Sequence, residues 1–274
     1  MLTGYVTQKA KLFESGEIDE NQERDRRKMQ EDLAALKEKY CYLYETHMHT
    51  KEGSACGRDN AADIVRAYKE AGYAGVIVTD HFYGGNTAID RSLPWEEWVE
   101  AYCKGYEHAL EEGNKIGIQV FFGWEQTYDG TDFLIYGLDK EWLKKHPELR
   151  TISIEEQYEL VHNAGGMVIH AHPYRVAPYI KEIRLKPESV DGVEVINAAH
   201  GTFGGKPYEK NKIDDQAMEY ALKYDFPKTA GSDMHSVHLV GGGMAFQRKL
   251  ENVQDYMKAI MAREGLLLPT YEHV

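Results

Sequence analysis

The chain has 274 residues, of which 42% are hydrophobic and 28% are charged, so its composition excludes a disordered or fibrous protein and suffices for one large domain. Acidic residues outnumber basic residues by 45 to 32. The resulting net charge of -13 disfavours binding to nucleic acid or to an anionic membrane.

The cysteines and the N-terminus indicate the compartment. Cys41, Cys56 and Cys103 form no CxxC pair and are odd in number, which fits reduced thiols better than a disulfide framework. Residues 1–13 lack the apolar core of a signal peptide, and no stretch approaches the roughly 18 apolar residues of a membrane span. We therefore expect a cytoplasmic protein that does not bind membranes.

The order of apolar and polar residues predicts two parts of the chain. Residues 18–39 are highly charged and predict a solvated helix, so we assign residues 1–40 to an N-terminal helical extension. Strand patterns then alternate with helical patterns over residues 41–274, which we expect to form one α/β domain. Seven strands are predicted there, at residues 42–45, 75–79, 119–124, 132–136, 167–169, 193–196 and 228–230.

Two segments outside the predicted strands are interpreted as structural rather than as binding sites. A long helix is predicted over residues 94–112, and its aromatic residues at helical spacing favour packing over a binding surface. The three glycines at residues 241–243 lack the pattern of a phosphate-binding loop and predict a flexible connection.

Residues that can bind metal stand at the ends of the predicted strands. His47 and His49 are two apart on an extended segment, so both side chains point to the same side and can meet one cation. Alone, such a pair is as often structural as functional, but five other strand ends carry His, Asp, Glu or Asn. Because strand-to-helix loops converge at one end of a β/α barrel, a barrel would gather these residues into one site. Mixed nitrogen and oxygen ligands suit a multinuclear hydrolytic centre.

Five motifs in order along the chain carry a resemblance to a known family. They are His47-Met48-His49-Thr50, Thr79-Asp80-His81, Gly123-Trp124-Glu125, Ala171-His172-Pro173 and Gly231-Ser232-Asp233-Met234-His235. From about residue 42 onwards the chain resembles the PHP (polymerase and histidinol phosphatase) family of metal-dependent phosphoesterases. The resemblance implies a distorted seven-stranded β/α barrel of TIM-like form, two to three divalent metal ions (manganese, iron or zinc) and phosphoester hydrolysis.

The resemblance also implies a set of metal ligands. His47, His49, Glu125 and Asp233 would hold a first metal, and Glu125 would bridge to a second metal bound by His172.

His81 and His235 would hold a third metal. The chain departs from the family pattern of metal ligands at two positions. Asp132 stands where many relatives have a histidine, and we expect it to bind the second metal through oxygen. A His or Asp that usually follows the first pair of histidines is replaced at residues 54–55, so we take Glu52, the nearest carboxylate, as a substitute ligand.

The expected activity is hydrolysis of a small phosphomonoester, such as histidinol phosphate, a nucleotide or a sugar phosphate, by metal-bound hydroxide. Glu125 would act as the bridging catalytic carboxylate. Arg175 could bind a phosphate oxygen, with a salt bridge as the alternative, and His200 could face the substrate, with a polar loop residue as the alternative.

Three other functions stay open from the sequence. One is a 3′-5′ exonuclease, against which the net charge of -13 weighs. A second is an amidohydrolase-type hydrolase, for which no clear bridging lysine is present. The third is a metal-binding regulatory module that has lost catalysis. The sequence argues against nucleic acid as a partner and indicates no oligomeric state.

Overall fold

The computed structural model describes residues 28, 31, 34–199 and 210–268. A division into two compact units falls between Cys41 and Tyr42, and residues 34–39 of the first unit are helical. Most of the predicted N-terminal extension lies outside the described residues, so its extent over residues 1–40 stays a prediction.

The second unit is built on one sheet, which has nine strands among the described residues. The strands are β1 Tyr42–Met48, β2 Gly75–Val78, β3 Gln119–Tyr128, β4 Thr131–Tyr136, β5 Met167–Ala171, β6 Gly192–Asn197, β7 Lys228–Gly231, β8 Gly243–Phe246 and β9 Leu266–Leu268. The helices are α1 Ala61–Glu70, α2 Trp95–Tyr102, α3 Lys104–Ile116, α4 Lys140–Lys144, α5 Ile154–Asn163, α6 Lys210–Lys223 and α7 Val253–Met261. None of the helices in these ranges has the length and apolar character needed to cross a membrane.

The sheet curls into a nearly closed barrel. Its strand order is β7-β6-β5-β4-β3-β2-β1-β8-β9, and the segment after β7 returns to the end of β1. There the backbone N–H of Asp233 donates to His47 O at 2.8 Å, and the N–H of His49 donates to Met234 O at 3.0 Å. The first seven strands thus form the predicted α/β barrel, and β8 and β9 extend the sheet from β1 as antiparallel strands that the sequence did not predict.

Strand β4 runs against its neighbours. It pairs antiparallel with both β3 and β5, whereas β1, β2 and β3 are mutually parallel, as are β5, β6 and β7. Asp129 and Gly130 connect β3 to β4 with φ values of 47° and 83°, which is the backbone that a tight two-residue hairpin requires. Asp132 lies near the start of β4, so the reversed direction brings it to the edge where the parallel strands end.

The long helix predicted over residues 94–112 is two helices, α2 and α3, which meet at Cys103. Just after this break, Gly105 lies against a loop at the metal-binding edge: a Cβ at residue 105 would be 2.3 Å from Thr50 Oγ1. The aromatic residues pack as predicted, because Trp98 and Tyr102 are buried and stack with ring centroids 5.0 Å apart.

Candidate metal centre

The four side chains predicted for the first metal converge at the end of β1. The Nε2 atoms of His47 and His49 are 3.2 Å apart. Asp233 Oδ1 lies 3.6 Å from His47 Nε2 and 3.0 Å from His49 Nε2. Glu125 Oε1 lies 3.5 Å from His47 Nε2, and its Oε2 lies 3.6 Å from His49 Nε2. All four side chains are buried, and they form a compact group of two imidazoles and two carboxylates that could hold one cation.

The second group shares Glu125 with the first. Glu125 Oε1 lies 3.1 Å from His172 Nε2, and Asp132 Oδ2 lies 3.9 Å from His172 Nδ1. Ligand atoms of these three residues all lie within 4.8 Å of one another. The structure therefore brings Asp132 to the predicted second group and gives Glu125 the position of a bridging carboxylate between two groups.

A third group contains His49, His81 and His235, whose ligand atoms also lie within 4.8 Å of one another. His81 Nδ1 is 2.5 Å from Glu125 Oε2, so this group adjoins the other two. Cys56 lies beside it. Burial raises the pKa of the Cys56 thiol, but the neighbouring His235 and His81 outweigh that effect and bring the pKa down to about 6.

Glu52 is not brought to these groups, contrary to the role predicted from the sequence. Its Oε2 and Oε1 accept hydrogen bonds from the backbone N–H of Ala61 at 3.0 Å and 3.2 Å, and its Oε1 also lies 3.2 Å from His108 Nδ1. The carboxylate thus caps the first turn of α1, where an orphaned backbone N–H needs an acceptor. Proximity to the histidine pair along the chain did not translate into proximity in space.

Arg175 lies at the rim of the centre. Its guanidinium contacts Asp233 Oδ2 as an ion pair, and its backbone N–H donates to His172 O at 2.9 Å. Burial disfavours the charged form of Arg175, but Asp233 outweighs burial and holds the pKa of the guanidinium above its usual range. A cleft beside the second group is lined by Asp132, His172 and Arg175. The other predicted substrate-facing residue, His200, lies outside the described residues.

Sequence reasoning missed Glu194, which connects two of the groups from the middle of β6. Its Oε1 contacts the ring of His47, and its Oε2 accepts hydrogen bonds from the backbone N–H of His172 and from Asn197 Nδ2, both at 3.0 Å. A carboxylate inside a strand that is buried along its whole length is rare unless it is paired. In the sequence, the single acidic residue between Val193 and Val195 was the feature that could have indicated a buried, paired carboxylate.

A second carboxylate, Asp80, orients the segment after the first histidine pair. Its Oδ1 accepts a hydrogen bond from the backbone N–H of Thr50 at 2.6 Å and one from Ser54 Oγ at 2.7 Å. Ser54 Oγ in turn lies 3.2 Å from His49 Nδ1. Asp80 thus positions the ring of His49 through Ser54, as carboxylates behind metal-binding histidines commonly do.

Two residues of the metal-ligand set adopt a backbone conformation that residues other than glycine seldom visit. The φ angle is 28° at His172 and 53° at Asp233. Such conformations cost about 1–3 kcal/mol each and tend to occur at functional sites, where the surrounding structure holds them. In this conformation His172 Nε2 lies 3.1 Å from Glu125 Oε1, and Asp233 Oδ1 lies 3.0 Å from His49 Nε2.

The atoms of this centre fit divalent cations. Glu125 Oε2, Asp233 Oδ1 and His81 Nδ1 are buried and have no hydrogen-bond partner among the described residues. His81 Nδ1 and Glu125 Oε2 are close, yet they do not align as a hydrogen bond. Buried polar atoms are costly when unsatisfied, and cations coordinated by these atoms would remove that cost.

The electrostatics of the two shared carboxylates agree with this fit. Burial raises the pKa of Glu125, but the neighbouring His81, His172 and His47 outweigh burial and hold it well below its usual range. Burial also raises the pKa of Asp233, but the neighbouring Arg175 and His47 outweigh burial and hold that pKa well below its usual range. Both carboxylates are therefore ionised, as metal ligands must be.

Comparison with known proteins identifies a family segment. Residues 214–264 match the model of a PHP-associated family, PHP_C, and this segment contains Asp233 and His235. No curated protein sequence matches the chain.

The fold is shared with solved structures of low sequence identity. A two-domain protein from Bacteroides vulgatus ATCC 8482, which contains a predicted PHP-like metal-dependent phosphoesterase, is 16% identical with a TM-score of 0.58; the alignment covers 82% of this chain and 64% of that one. The chain thus spans less than two thirds of that protein. PsfC from Pseudomonas syringae PB-5123 is 18% identical with a TM-score of 0.53, over 78% of this chain and 87% of that one.

A third solved structure is more distant. An amidohydrolase from Chromobacterium violaceum is 14% identical with a TM-score of 0.46, over 70% of this chain and 87% of that one. Residues 214–264 thus match a PHP-associated family model, and the fold is the one seen in a protein that contains a predicted PHP-like phosphoesterase.

Proposed function

We propose that this protein is a metal-dependent phosphoesterase that hydrolyses a small phosphomonoester such as histidinol phosphate, a nucleotide or a sugar phosphate. The observation that carries the proposal is the position of Glu125, whose two carboxylate oxygens contact all three groups of ligand-type side chains. A carboxylate shared in this way is suited to hold two cations at the short separation that phosphoester hydrolysis uses.

The residues of the centre would have different roles in hydrolysis. Two divalent cations held there would lower the pKa of water and neutralise charge on the phosphoryl oxygens. Glu194 and Asp80 fix the rings of His47 and His49, so that ring orientation need not change during the reaction. Arg175 stays cationic at the rim, where its planar guanidinium can bind a phosphoryl oxygen.

The charge of the chain supports a small substrate over a polymer. With a net charge of -13, the protein repels long polyanions, whereas a phosphomonoester needs only the local charge of the cations and Arg175. We also propose a cytoplasmic location, supported by the three cysteines, all of which are in the described part of the chain and form no disulfide there.

A substrate screen with a matched pair of variants tests the proposal. Purified protein reconstituted with manganese, iron or zinc is assayed against small phosphomonoesters, a single-stranded oligonucleotide and a set of amides. We expect phosphate release from a phosphomonoester, its loss in Glu125→Gln and its retention in Glu52→Gln, since Glu52 lies outside the centre. Cleavage of the oligonucleotide or an amide alone, or metal binding without any hydrolysis, would overturn the proposal in favour of the corresponding alternative.

A further inference from the structure

A buried carboxylate, that of Glu45, lies on the strand that carries His47 and belongs to none of the three groups. Its Oε1 accepts hydrogen bonds from the backbone N–H of Thr46 at 2.9 Å and from that of His47 at 2.7 Å. Buried backbone N–H groups need acceptors, and here one side-chain oxygen serves two successive groups. Glu45 therefore fixes the backbone of β1 at the residue that supplies the first predicted metal ligand.

The stretch of β1 that Glu45 holds is irregular. Glu45 lies opposite Val76 of β2. Met48 lies opposite Val78, so β1 has one residue more than β2 over this stretch. An extra residue in one strand makes a β-bulge, which bends the strand and redirects side chains, and bulges are frequent beside active sites. The N–H group of His47 lies within this bulge, so its bond to Glu45 holds the backbone from which the His47 side chain extends.

The same oxygen also contacts the segment after β7. Glu45 Oε1 accepts a hydrogen bond from the backbone N–H of Ser232 at 3.0 Å, across 187 residues of chain. Ser232 directly precedes Asp233, which has the unusual φ of 53°. One carboxylate oxygen thus joins the backbone next to Asp233 to the backbone of His47, and these two side chains are predicted ligands of the same metal.

The second oxygen of Glu45 is held from the helix layer. The hydroxyl of Tyr68, on α1, donates to Glu45 Oε2 at 2.7 Å, and Tyr68 Oη lies 3.0 Å from Ser232 Oγ. Ser232 Oγ also accepts a hydrogen bond from the backbone N–H of Met234 at 3.1 Å. Because Glu45, Tyr68 and Ser232 are all buried, water does not compete for these bonds, and the network has a single well-defined geometry.

We propose that Glu45 is a positioning residue for the first metal: by holding the backbone of His47 and of Ser232 on one oxygen, it sets the distance at which His47 and Asp233 can bind one cation. This inference rests on the metal centre of the proposed function. Its role differs from that of Glu194, which contacts the ring of His47 rather than its backbone.

The dimensions of a metal site make such positioning necessary. Asp233 Oδ1 lies 3.6 Å from His47 Nε2. A zinc ion sits about 2.0–2.2 Å from nitrogen and oxygen ligands, so this pair can share one ion at its present separation. Ligands must be held to within about 0.5 Å of the productive geometry, and His47 and Asp233 come from opposite ends of the domain sequence. A single acceptor common to both segments supplies that precision.

The affinity of the folded protein for Zn²⁺, measured by competition with a chelator, tests this role against a role in fold stability alone. Circular dichroism first establishes that each variant is folded at the temperature used. We expect Glu45→Ala to bind Zn²⁺ about 10–100-fold more weakly than the parent protein, as loss of a residue that orients metal ligands commonly does. Glu45→Gln keeps an oxygen that can accept from the same N–H groups, so its affinity should stay close to that of the parent.

Tyr73→Phe is the matched control. Tyr73 Oη donates to Gly242 O at 2.6 Å, and the Tyr73 ring packs against Tyr68 with ring centroids 4.8 Å apart. The substitution therefore removes a buried hydrogen bond in the same layer but no partner of the Glu45 carboxylate. It should lower the free energy of unfolding and leave the affinity for Zn²⁺ unchanged.

The visible absorption spectrum of the Co²⁺-loaded protein is a second readout, because it reports how the ligands are arranged around the ion. We expect the spectrum to change in Glu45→Ala and to match the parent in Glu45→Gln and Tyr73→Phe. If Glu45→Ala does not fold, Glu45→Asp replaces it in both measurements: it keeps the charge but is one methylene shorter, and we expect it to weaken Zn²⁺ binding as well.

The outcomes separate this inference from the proposed function. Parental affinity and spectrum in the folded alanine variant, or in the aspartate variant that replaces it, would overturn the inference alone. An equal loss of affinity in Tyr73→Phe would also overturn it, since lost stability would then suffice. Parent protein that binds Zn²⁺ but hydrolyses no phosphomonoester would overturn only the proposed function, and parent protein that binds no metal would overturn both.

Discussion

Nδ1 of His47 lies 2.9 Å from Oε1 of Glu194, so a carboxylate on β6 fixes the ring of a histidine on β1. Because Nδ1 is held in this way, Nε2 of His47 is the nitrogen that faces Glu125 and Asp233. Burial lowers the pKa of His47, but the carboxylates of Glu194 and Asp233 outweigh it and hold the pKa well above its usual range. Glu194 therefore raises the basicity of the nitrogen that faces the predicted first metal.

Substitution of Glu194 tests whether this carboxylate supports the ring of His47. We expect Glu194→Gln to lower the affinity for the first metal by about 10–100-fold, as loss of such a supporting carboxylate commonly does. Competition with a chelator measures the affinity, and Glu251→Gln, at an exposed residue, is the control. An unchanged competition curve for Glu194→Gln would show that the ring of His47 needs no such support.

The metal content of the purified protein is the next expectation. The three groups that meet at Glu125 predict at least two divalent ions per chain after gentle purification, measured by elemental analysis. Because bound cations stabilise only the folded chain, removing them with a chelator should also lower the thermal unfolding midpoint. Fewer than one ion per chain after reconstitution with manganese, iron or zinc would contradict the site.

Glu125→Gln should separate activity from folding. The amide has nearly the same shape as the carboxylate but lacks the charge that two cations share, so we expect hydrolysis to fall by more than about 100-fold. The far-ultraviolet circular dichroism of the apoprotein should stay that of the parent. Near-parental turnover with full metal loading would show that Glu125 is not the bridge.

Asp132 offers a prediction about metal preference. Asp132→His replaces oxygen with nitrogen beside His172, so zinc-supported activity should rise relative to manganese-supported activity. Asp132→Ala should lose one ion selectively while the first group keeps its own. If the alanine variant binds as many ions as the parent protein, Asp132 is not a ligand and only borders the cleft.

Glu52 is expected to matter for stability alone. Because its carboxylate accepts from Ala61 N–H at the start of α1, Glu52→Ala should lower the free energy of unfolding by about 1 kcal/mol and leave the metal count unchanged. Asn60→Ala removes the other cap of the same helix, whose Oδ1 accepts from Asp63 N–H at 2.9 Å, and should have a similar effect. Loss of an ion in Glu52→Ala would restore the ligand role predicted from the sequence.

The sequence predicted the barrel well because each strand carries its own local pattern. It did not predict the direction of β4, although Asp129-Gly130 between two strand patterns is the signal of a tight hairpin. Nor did it predict β8: three successive glycines suggested a flexible connection, yet Gly243 begins a strand and packs so closely that a Cβ there would lie 2.2 Å from Tyr44 O. Strand direction and close backbone contact depend on tertiary neighbours that a local pattern does not contain.

In the metal centre, too, local patterns were predictable from the sequence and tertiary contacts were not. Motifs at strand ends predicted which residues would meet, since the barrel brings all of those ends together. The contact of Glu194 with His47 was not predictable, because it joins side chains on β6 and β1, whose packing is set by the whole fold. Glu52 shows the converse error, in which proximity along the chain suggested a contact that the helix start prevents.

The closure between β1 and the segment after β7 determines when the centre can assemble. Thr46 Oγ1 donates to Ala230 O at 2.6 Å across 184 residues of chain, and the first group likewise combines the end of β1 with Asp233. Contacts this distant in sequence form late in folding, because the intervening chain must first be ordered. A ribosome-bound chain that has just exposed β1 has two histidines but neither carboxylate of the first group. We therefore expect the cation to enter a completed barrel, so that metal selection occurs after synthesis and reflects the ions present around the folded protein.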